Sequence, residues 1–344
     1  MIVQFFKQES RFLYLITLLV IIAAFIFNVP KIAMWFGFAV AGYSAIANDS
    51  IQTLGTFLTS NKKKPWWLLW IFIGGILIST NIYGYLKSGG AVHFDRLESI
   101  PQPTSFTFIQ LLTPIVLIIL TRLKMPVSTS FLLLSIFSSV ETIKGMLIKT
   151  FIGYIVAFIC AFILWTVISK WIKRTSFKTD NPPETWYILQ WITTGFLWSQ
   201  WLMHDTANIA VFLPRTITPV QFGFFLFFLF IIVGYLMYIR GDKIQEIVSE
   251  KKDINNVRSA TVVDFVYAII LMYFKDINNL PMSTTWVFLG LLAGRELALT
   301  ESVKEGDEAP FKRSFKLVGK DIMRAAIGLA VSLIFAILVG DTTV

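Results

Sequence analysis

Two short motifs each occur twice in this chain, at nearly one spacing and within apolar sequence. The first is Ala47-Asn48-Asp49-Ser50-Ile51-Gln52, echoed by Met203-His204-Asp205-Thr206-Ala207-Asn208. The second is Met125-Pro126-Val127-Ser128-Thr129-Ser130, echoed by Leu280-Pro281-Met282-Ser283-Thr284-Thr285. Asp49 and Asp205 are 156 positions apart; Ser128 and Ser283 are 155 apart. Two unrelated motifs recurring at one offset imply a duplicated half. The chain must therefore fold as two copies of one plan, each carrying an acid deep in apolar surroundings.

Composition says what those surroundings are. Hydrophobic residues make up 56% of the chain and charged residues only 15%, against about 25% charged in soluble domains. This is the composition of an integral membrane protein. The formal charge of +9 sits in short clusters between apolar runs, the pattern of cytoplasmic loops rather than of a nucleic-acid surface. The single Cys160 excludes an intramolecular disulfide. The apolar stretch after Arg11 has no small-residue cleavage site near Asn28, so it reads as a retained helix.

Spanning the hydrocarbon takes about 20 apolar helical residues. Candidate spans are Phe12 to Phe27, Ile32 to Leu58 with its apolar run interrupted at Asn48-Asp49, and Trp66 to Leu86 with aromatic residues at both ends. Ser88 to Thr104 is a polar loop. Phe106 to Leu120 and Pro126 to Ser138 are too short to cross alone and predict a re-entrant hairpin with its tip inside the protein, where irregular backbone survives only if buried or lining a cavity. Ile148 to Trp171 closes the half. Trp186 to Leu213, Phe222 to Tyr238, the pair Thr261 to Phe274 and Met282 to Leu297, and Ile322 to Leu338 repeat the plan, with charged loops at Arg240 to Arg258 and Thr300 to Lys320.

The expected fold is thus an all-α membrane protein with one N-terminal span (1–31) followed by halves 32–178 and 179–344. Each half has three spanning helices and one re-entrant helical hairpin. An odd number of crossings per half turns the second half upside down, an inverted repeat. With the N-terminus cytoplasmic, 21 of the 30 Lys and Arg fall inside, 6 outside and 3 at hairpin tips, as the positive-inside rule requires. Full crossing by both hairpins would give eleven spans instead.

A carboxylate at bilayer depth is costly unless paired or hydrated, which makes Asp49 and Asp205 candidates for function. Residues three apart share a helix face, so Asp49 with Gln52, and Asp205 with Asn208, present a charge and an amide oxygen together. That is ligation for a hard cation such as Na+. The hydroxyls Ser128, Thr129 and Ser130, and Ser283, Thr284 and Thr285, follow a proline at a helix start, where unpaired N–H groups and the dipole favour an anion. Ordinary N-capping is the competing role for these hydroxyls. His204 stands where the first copy has Asn48, as a substitute for the amide or as a protonatable group. Arg122, Lys124 and Lys275 lie near the hairpin tips, where they could face a substrate or snorkel to water.

The stretches IANDSIQTLGTF and HDTANIAVFLP resemble the duplicated GANDVANA-type signature of the sodium-coupled inorganic phosphate transporter (PiT) family. PVSTS and PMSTT resemble its second signature, Pro-x-Ser-Thr-Thr. The resemblance implies inverted repeats and Na+- or H+-coupled uptake of phosphate, with sulfate in some members. It places Asp49 and Asp205 on the motif acids, Asn48 and Asn208 on the motif amides, and both hydroxyl runs on the anion-binding turns. The chain departs from the signature at Ile46 and Leu202 (Gly in the family), at Gln52, at His204, and at Phe131 and Trp286 (His in the family).

The function expected is secondary active transport, by alternating access, of a small tetrahedral oxyanion coupled to Na+ (or H+). Phosphate is preferred because its P–OH groups can donate to a carboxylate, which sulfate cannot do; a sulfate permease of the same fold is the alternative. No enzymatic activity and no organic cofactor are expected. An uncoupled anion channel remains as a different class. A Ser–His204–Asp205 hydrolase is disfavoured, since adjacent residues face different sides of a helix. The expected site comprises Asn48, Asp49, Gln52, His204, Asp205 and Asn208 for the cation. Asp49, Ser128, Thr129, Ser130, Asp205, Ser283, Thr284 and Thr285 are expected for the anion. The expected partners are phosphate or sulfate and a lipid bilayer, without nucleic acid and with room for a homodimer. The expected location is the plasma membrane, a bacterial inner membrane, with the N-terminus cytoplasmic.

Overall fold

The computed structural model describes residues 9–123, 125, 127–174, 183–240, 257–301 and 308–340. Lys124 and Pro126 lie outside these. Eleven α-helices and one 3-10 turn, and no strand, make up the described residues. In chain order the helices are α1 (Ser10–Ile26), α2 (Pro30–Ser60), α3 (Trp66–Lys87), α4 (Phe108–Arg122), α5 (Thr129–Leu134), α6 (Val140–Arg174), α7 (Glu184–Ala210), α8 (Pro219–Tyr238), α9 (Val257–Ile277), α10 (Thr284–Glu301) and α11 (Glu308–Gly340). The 3-10 turn Ser135–Phe137 continues α5.

Five helices contain stretches long and apolar enough to cross a membrane: Trp66–Lys87, Val140–Val167, Pro219–Tyr238, Val257–Ile277 and Val318–Val339. Together with the lipid-like exposure of residues such as Ile155, Ile163, Phe227 and Ile337, they make this an integral membrane protein. The acid-bearing helices α2 and α7 fall outside that set because their buried faces are polar. Both starts are set by proline: Pro30 opens α2 and Pro183 caps α7, positions where a missing N–H costs nothing. Both helices run unbroken through Asp49 and Asp205. The interruption expected at Asn48-Asp49 is one of polarity only, since each side chain there finds a partner without releasing the helical ladder.

Several boundaries move outward from those expected. α6 starts at Val140 rather than Ile148, and α11 at Glu308 rather than Ile322. The charged residues Glu141, Lys144, Lys316 and Lys320 lie exposed on these added helical turns. The larger difference is the second hairpin. Its arms are 21 and 18 residues long, so α9 reaches about 31 Å, the thickness of the hydrocarbon. Lys275 lies in the last turn of α9, where its charge suits the helix dipole, instead of ending the helix. Asp276–Asn279 at that tip are exposed, which corrects the expectation of a wholly interior tip. The first hairpin stays short, with 15 residues in α4 and 6 in α5. The second motif's proline also sits differently. Ser128 and Ser283 are the capping residues of α5 and α10, so Pro281 precedes its cap by two positions instead of opening the helix.

The packing comes in matched pairs. α2 packs on α4 as α7 packs on α9. α2 meets α8 as α7 meets α3, and α2 meets α7 directly. α5 and its 3-10 turn lie on α11, while α10 lies on α6. α6 and α10 approach each other backbone to backbone. A Cβ added at Gly290 would lie 2.3 Å from the Tyr154 carbonyl oxygen, and at Gly294 2.1 Å from that of Phe158. This is a small-xxx-small seam, in which missing side chains let backbones touch. Gly294→Val is expected to push the backbones apart at a cost of about 3 kcal/mol or more. Gly75→Ala on α3, where nothing lies within 4 Å, should be neutral or mildly stabilising. Thermal unfolding in detergent compares the two; equal midpoints would mean that the seam does not hold the hairpin.

Candidate functional site

The sequence motifs meet at one buried cluster. Asp49 on α2 and Asp205 on α7 are fully buried, and the start of α5 lies between them. Thr129 Oγ1 donates to Asp49 Oδ2 at 2.7 Å and accepts from Asn208 Nδ2 at 3.0 Å. Asn208 Nδ2 in turn lies 2.6 Å from Asp205 Oδ1. One hydroxyl and one amide therefore connect the two acids. Ser130 Oγ lies 3.1 Å from Asp205 Oδ1 and 3.0 Å from the Met282 carbonyl oxygen; its single proton can serve one of them.

On the first-copy side, Asn48 Nδ2 donates to Asp49 Oδ1 at 2.7 Å and to the Val127 carbonyl at 2.9 Å. Gln52 Nε2 donates to Thr285 Oγ1 at 3.0 Å and reaches Asp49 Oδ1 at 3.4 Å. Thr285 Oγ1 donates its own hydrogen bond to the Val127 carbonyl at 3.2 Å. The start of α10 is thereby tied to the start of α5. Ser128 and Ser283 are spent on capping, accepting from Phe131 N at 3.2 Å and Trp286 N at 3.3 Å, and the Ser283 N–H donates to Thr150 Oγ1 at 3.0 Å.

Both amides turn their NH2 groups toward the carboxylates, which leaves their oxygens free. Gln52 Oε1 and Asn208 Oδ1 are buried without a hydrogen-bond partner, and the Thr284 hydroxyl lies beside the Asp205 carboxylate. Buried polar atoms are almost always paired, so two such amide oxygens beside two carboxylates need explaining. Among the described residues neither Asp49 nor Asp205 forms an ion pair. The donor set is carboxylate, amide and hydroxyl oxygen, which is hard-cation chemistry. No group of three or more His, Cys, Asp or Glu occurs among the described residues.

His204 is not brought into this cluster. Its Nε2 meets the Leu271 carbonyl on α9 at 2.7 Å, and a carbonyl partner makes that nitrogen the N–H donor. His204→Gln, which keeps a donor, is expected to retain uptake and fold, whereas His204→Asp should lose folded protein through an unpaired buried charge. Yield and thermal midpoint of the two variants measure this; equal midpoints would leave the bond to Leu271 without a role in stability. Near the hairpin tips, Arg122 pairs with Glu9 at 2.9 Å and Lys275 lies 3.8 Å from Asp276.

Sequence reasoning missed several contributors. Thr121 donates to Asn48 Oδ1 at 3.2 Å. The Val127 and Met282 carbonyls are equivalent positions in the two copies. Asp264, buried on α9, accepts from Thr56 at 3.1 Å and Thr194 at 2.6 Å, and so joins α2 to α7. Its signal was present, an acid inside the apolar run Thr261 to Phe274. Tyr267 donates to the Thr284 carbonyl at 2.8 Å.

The starts of α5 and α10 and the two acids thus form one polar centre inside a helical fold. One solved structure, "The sodium-dependent phosphate transporter", shares that fold: the alignment covers 90% of this chain and 99% of that one, with TM-score 0.56 and 15% identity. No protein-family model matches the sequence, and no curated protein matches it.

Proposed function

We propose that the chain is a secondary transporter that couples entry of Na+ to uptake of a tetrahedral oxyanion, inorganic phosphate first. The observation that carries this is the pair of unpartnered amide oxygens, Gln52 Oε1 and Asn208 Oδ1, beside the two joined carboxylates. Asp205 Oδ2, Asn208 Oδ1 and Gln52 Oε1 are cation ligands by type, while Thr284 Oγ1 at the α10 start can donate to an anion. The fold shared with a sodium-dependent phosphate transporter agrees with that reading. Phosphate is favoured over sulfate by its P–OH donors, which suit a site containing carboxylates. H+ in place of Na+ is the alternative coupling ion.

The matched packing pairs support an inverted repeat of 32–178 and 179–344, with α4–α5 and α9–α10 as the two hairpins. So do the tips. Arg122 at the first tip meets Glu9 at the start of α1. Asn279 at the second tip donates to Glu98 of the 88–107 loop at 2.8 Å. The two hairpins thus point to opposite ends of the helices, as entry from opposite membrane faces requires. With Lys62–Lys64 cytoplasmic, the N-terminus is cytoplasmic as well.

Bound Na+ must offset repulsion between the acids and the anion, so the two affinities are linked and rise together by the same factor. Equilibrium binding of phosphate at several Na+ concentrations tests this. Phosphate affinity independent of Na+ and of pH would remove the coupled reading and favour an uncoupled channel.

A further inference from the structure

A second group of charged side chains lies at the tip of the α9–α10 hairpin. Arg96 comes from the 88–107 loop, and Lys149 from α6, nine residues after Val140 and so about 14 Å along that helix. Arg96 NH1 donates to the Asn278 carbonyl at 2.9 Å and reaches that of Leu280 at 3.4 Å. Lys149 Nζ donates to the same two carbonyls at 2.9 and 2.8 Å, and to Asn278 Oδ1 at 2.7 Å. Two basic side chains therefore converge on shared oxygens; Asp205, Asp276 and Asp95 act on Arg96 through space, but no carboxylate among the described residues lies within ion-pair distance of either.

Both are buried, Arg96 at 1% and Lys149 at 5% exposure. Like charges brought together away from water repel and lose hydration, which a nearby anion would offset. The guanidinium also has unused donors: Nε and one terminal NH2 of Arg96 are buried without a partner. An edge of that kind takes two oxygens of a carboxylate or phosphate in parallel. Burial pushes the Arg96 guanidinium down to about 10, so it stays charged at neutral pH.

The backbone is built to hold Arg96 there. Phe94 and Asp95 just before it adopt φ of 48° and 62°, a left-handed conformation that is costly away from glycine. The Phe94 ring is seated against Gly84 of α3, where an added Cβ would lie 2.4 Å from a ring carbon. A residue confined by two strained neighbours and a ring fitted over a glycine is positioned, rather than resting at a surface.

We propose that Arg96 and Lys149 form a second oxyanion site, separate from the acid cluster, in which a phosphate-like anion occupies the free edge of Arg96. It serves as the station the anion meets at the hairpin tip before reaching the starts of α5 and α10. This rests on the reading of the chain as an oxyanion carrier.

Equilibrium binding of radiolabelled inorganic phosphate to the full-length purified protein, in saturating Na+, is expected to give two anions per chain. Arg96→Gln should remove one of them. Arg96→Lys, which keeps the charge without the fork, should retain it at reduced affinity. Thr284→Val, at the acid cluster, should leave this anion in place. In uptake assays Arg96→Gln should raise KM about tenfold or more, the loss of a charge-assisted contact. Should Arg96→Gln fail to fold, Lys149→Met weakens the same anion, and the count on the parent protein decides by itself. One anion per chain in a parent that takes up phosphate overturns this site alone, as do two anions in both parent and Arg96→Gln. A parent that neither binds nor carries phosphate overturns the carrier reading with it.

Discussion

Asp205→Asn is expected to abolish cation-dependent oxyanion uptake while leaving the protein folded and inserted. The geometry explains why the two effects separate. Asp205 Oδ1 is held by Asn208 at 2.6 Å and Ser130 at 3.1 Å, and the amide oxygen of asparagine can accept both. Its NH2 then takes the place of Oδ2, the oxygen that Asn208 and Ser130 do not hold. A cation ligand becomes a donor, and one negative charge disappears. Losing a charged contact of about 3 kcal/mol corresponds to roughly 100-fold in affinity. Asp49→Asn should be as damaging to uptake and harder on the fold. Both Asp49 oxygens already accept, from Thr129 on one side and from Asn48 and Gln52 on the other, so an NH2 there confronts a donor. Uptake together with a detergent melting curve checks both variants. Normal uptake by either one would mean that its acid is not a coupling ligand.

Thr284→Val is expected to lower phosphate affinity about tenfold, one lost hydrogen bond to a charged group, without changing Na+ binding measured in the absence of anion. Valine keeps the volume and deletes only the hydroxyl. That hydroxyl lies beside Asp205 but is no part of the Thr129 and Asn208 link between the two acids, so that link stays in place. Thr129→Val is the informative contrast. Its hydroxyl bonds Asp49 and Asn208 together, so removing it should weaken cation and anion binding alike. Titration calorimetry of each variant with Na+ alone and with phosphate at fixed Na+ separates the patterns. Identical losses in both variants would place the anion elsewhere.

The acids and the hairpin starts were legible because a charged or hydroxyl-rich segment inside an apolar run has few innocent uses, and because each occurs twice. Their partners were less legible. Val127 and Met282 contribute backbone carbonyls, which no side-chain pattern reveals. Arg96 sits in a polar loop that reads as solvated, and its burial depends on the long reach of α9. That reach was itself hidden, since Lys275 and Asp276 look like a loop and are instead the last turn of a helix. His204 occupies a motif position yet faces Leu271, since the residue beside Asp205 on a helix must point elsewhere. Of the hydroxyls at the hairpin starts, Ser128 and Ser283 cap the helices, which leaves Thr129 and Ser130 as groups that reach the acids.

The central claim is coupled oxyanion transport, and uptake of labelled phosphate into proteoliposomes carrying the purified chain tests it most directly. Accumulation should require an inward Na+ gradient (or a proton gradient, if H+ is the coupling ion), should be inhibited more by unlabelled phosphate than by sulfate, and should vanish with Asp205→Asn. Phosphate entry that proceeds equally with no cation gradient, or that survives Asp205→Asn unchanged, would contradict it.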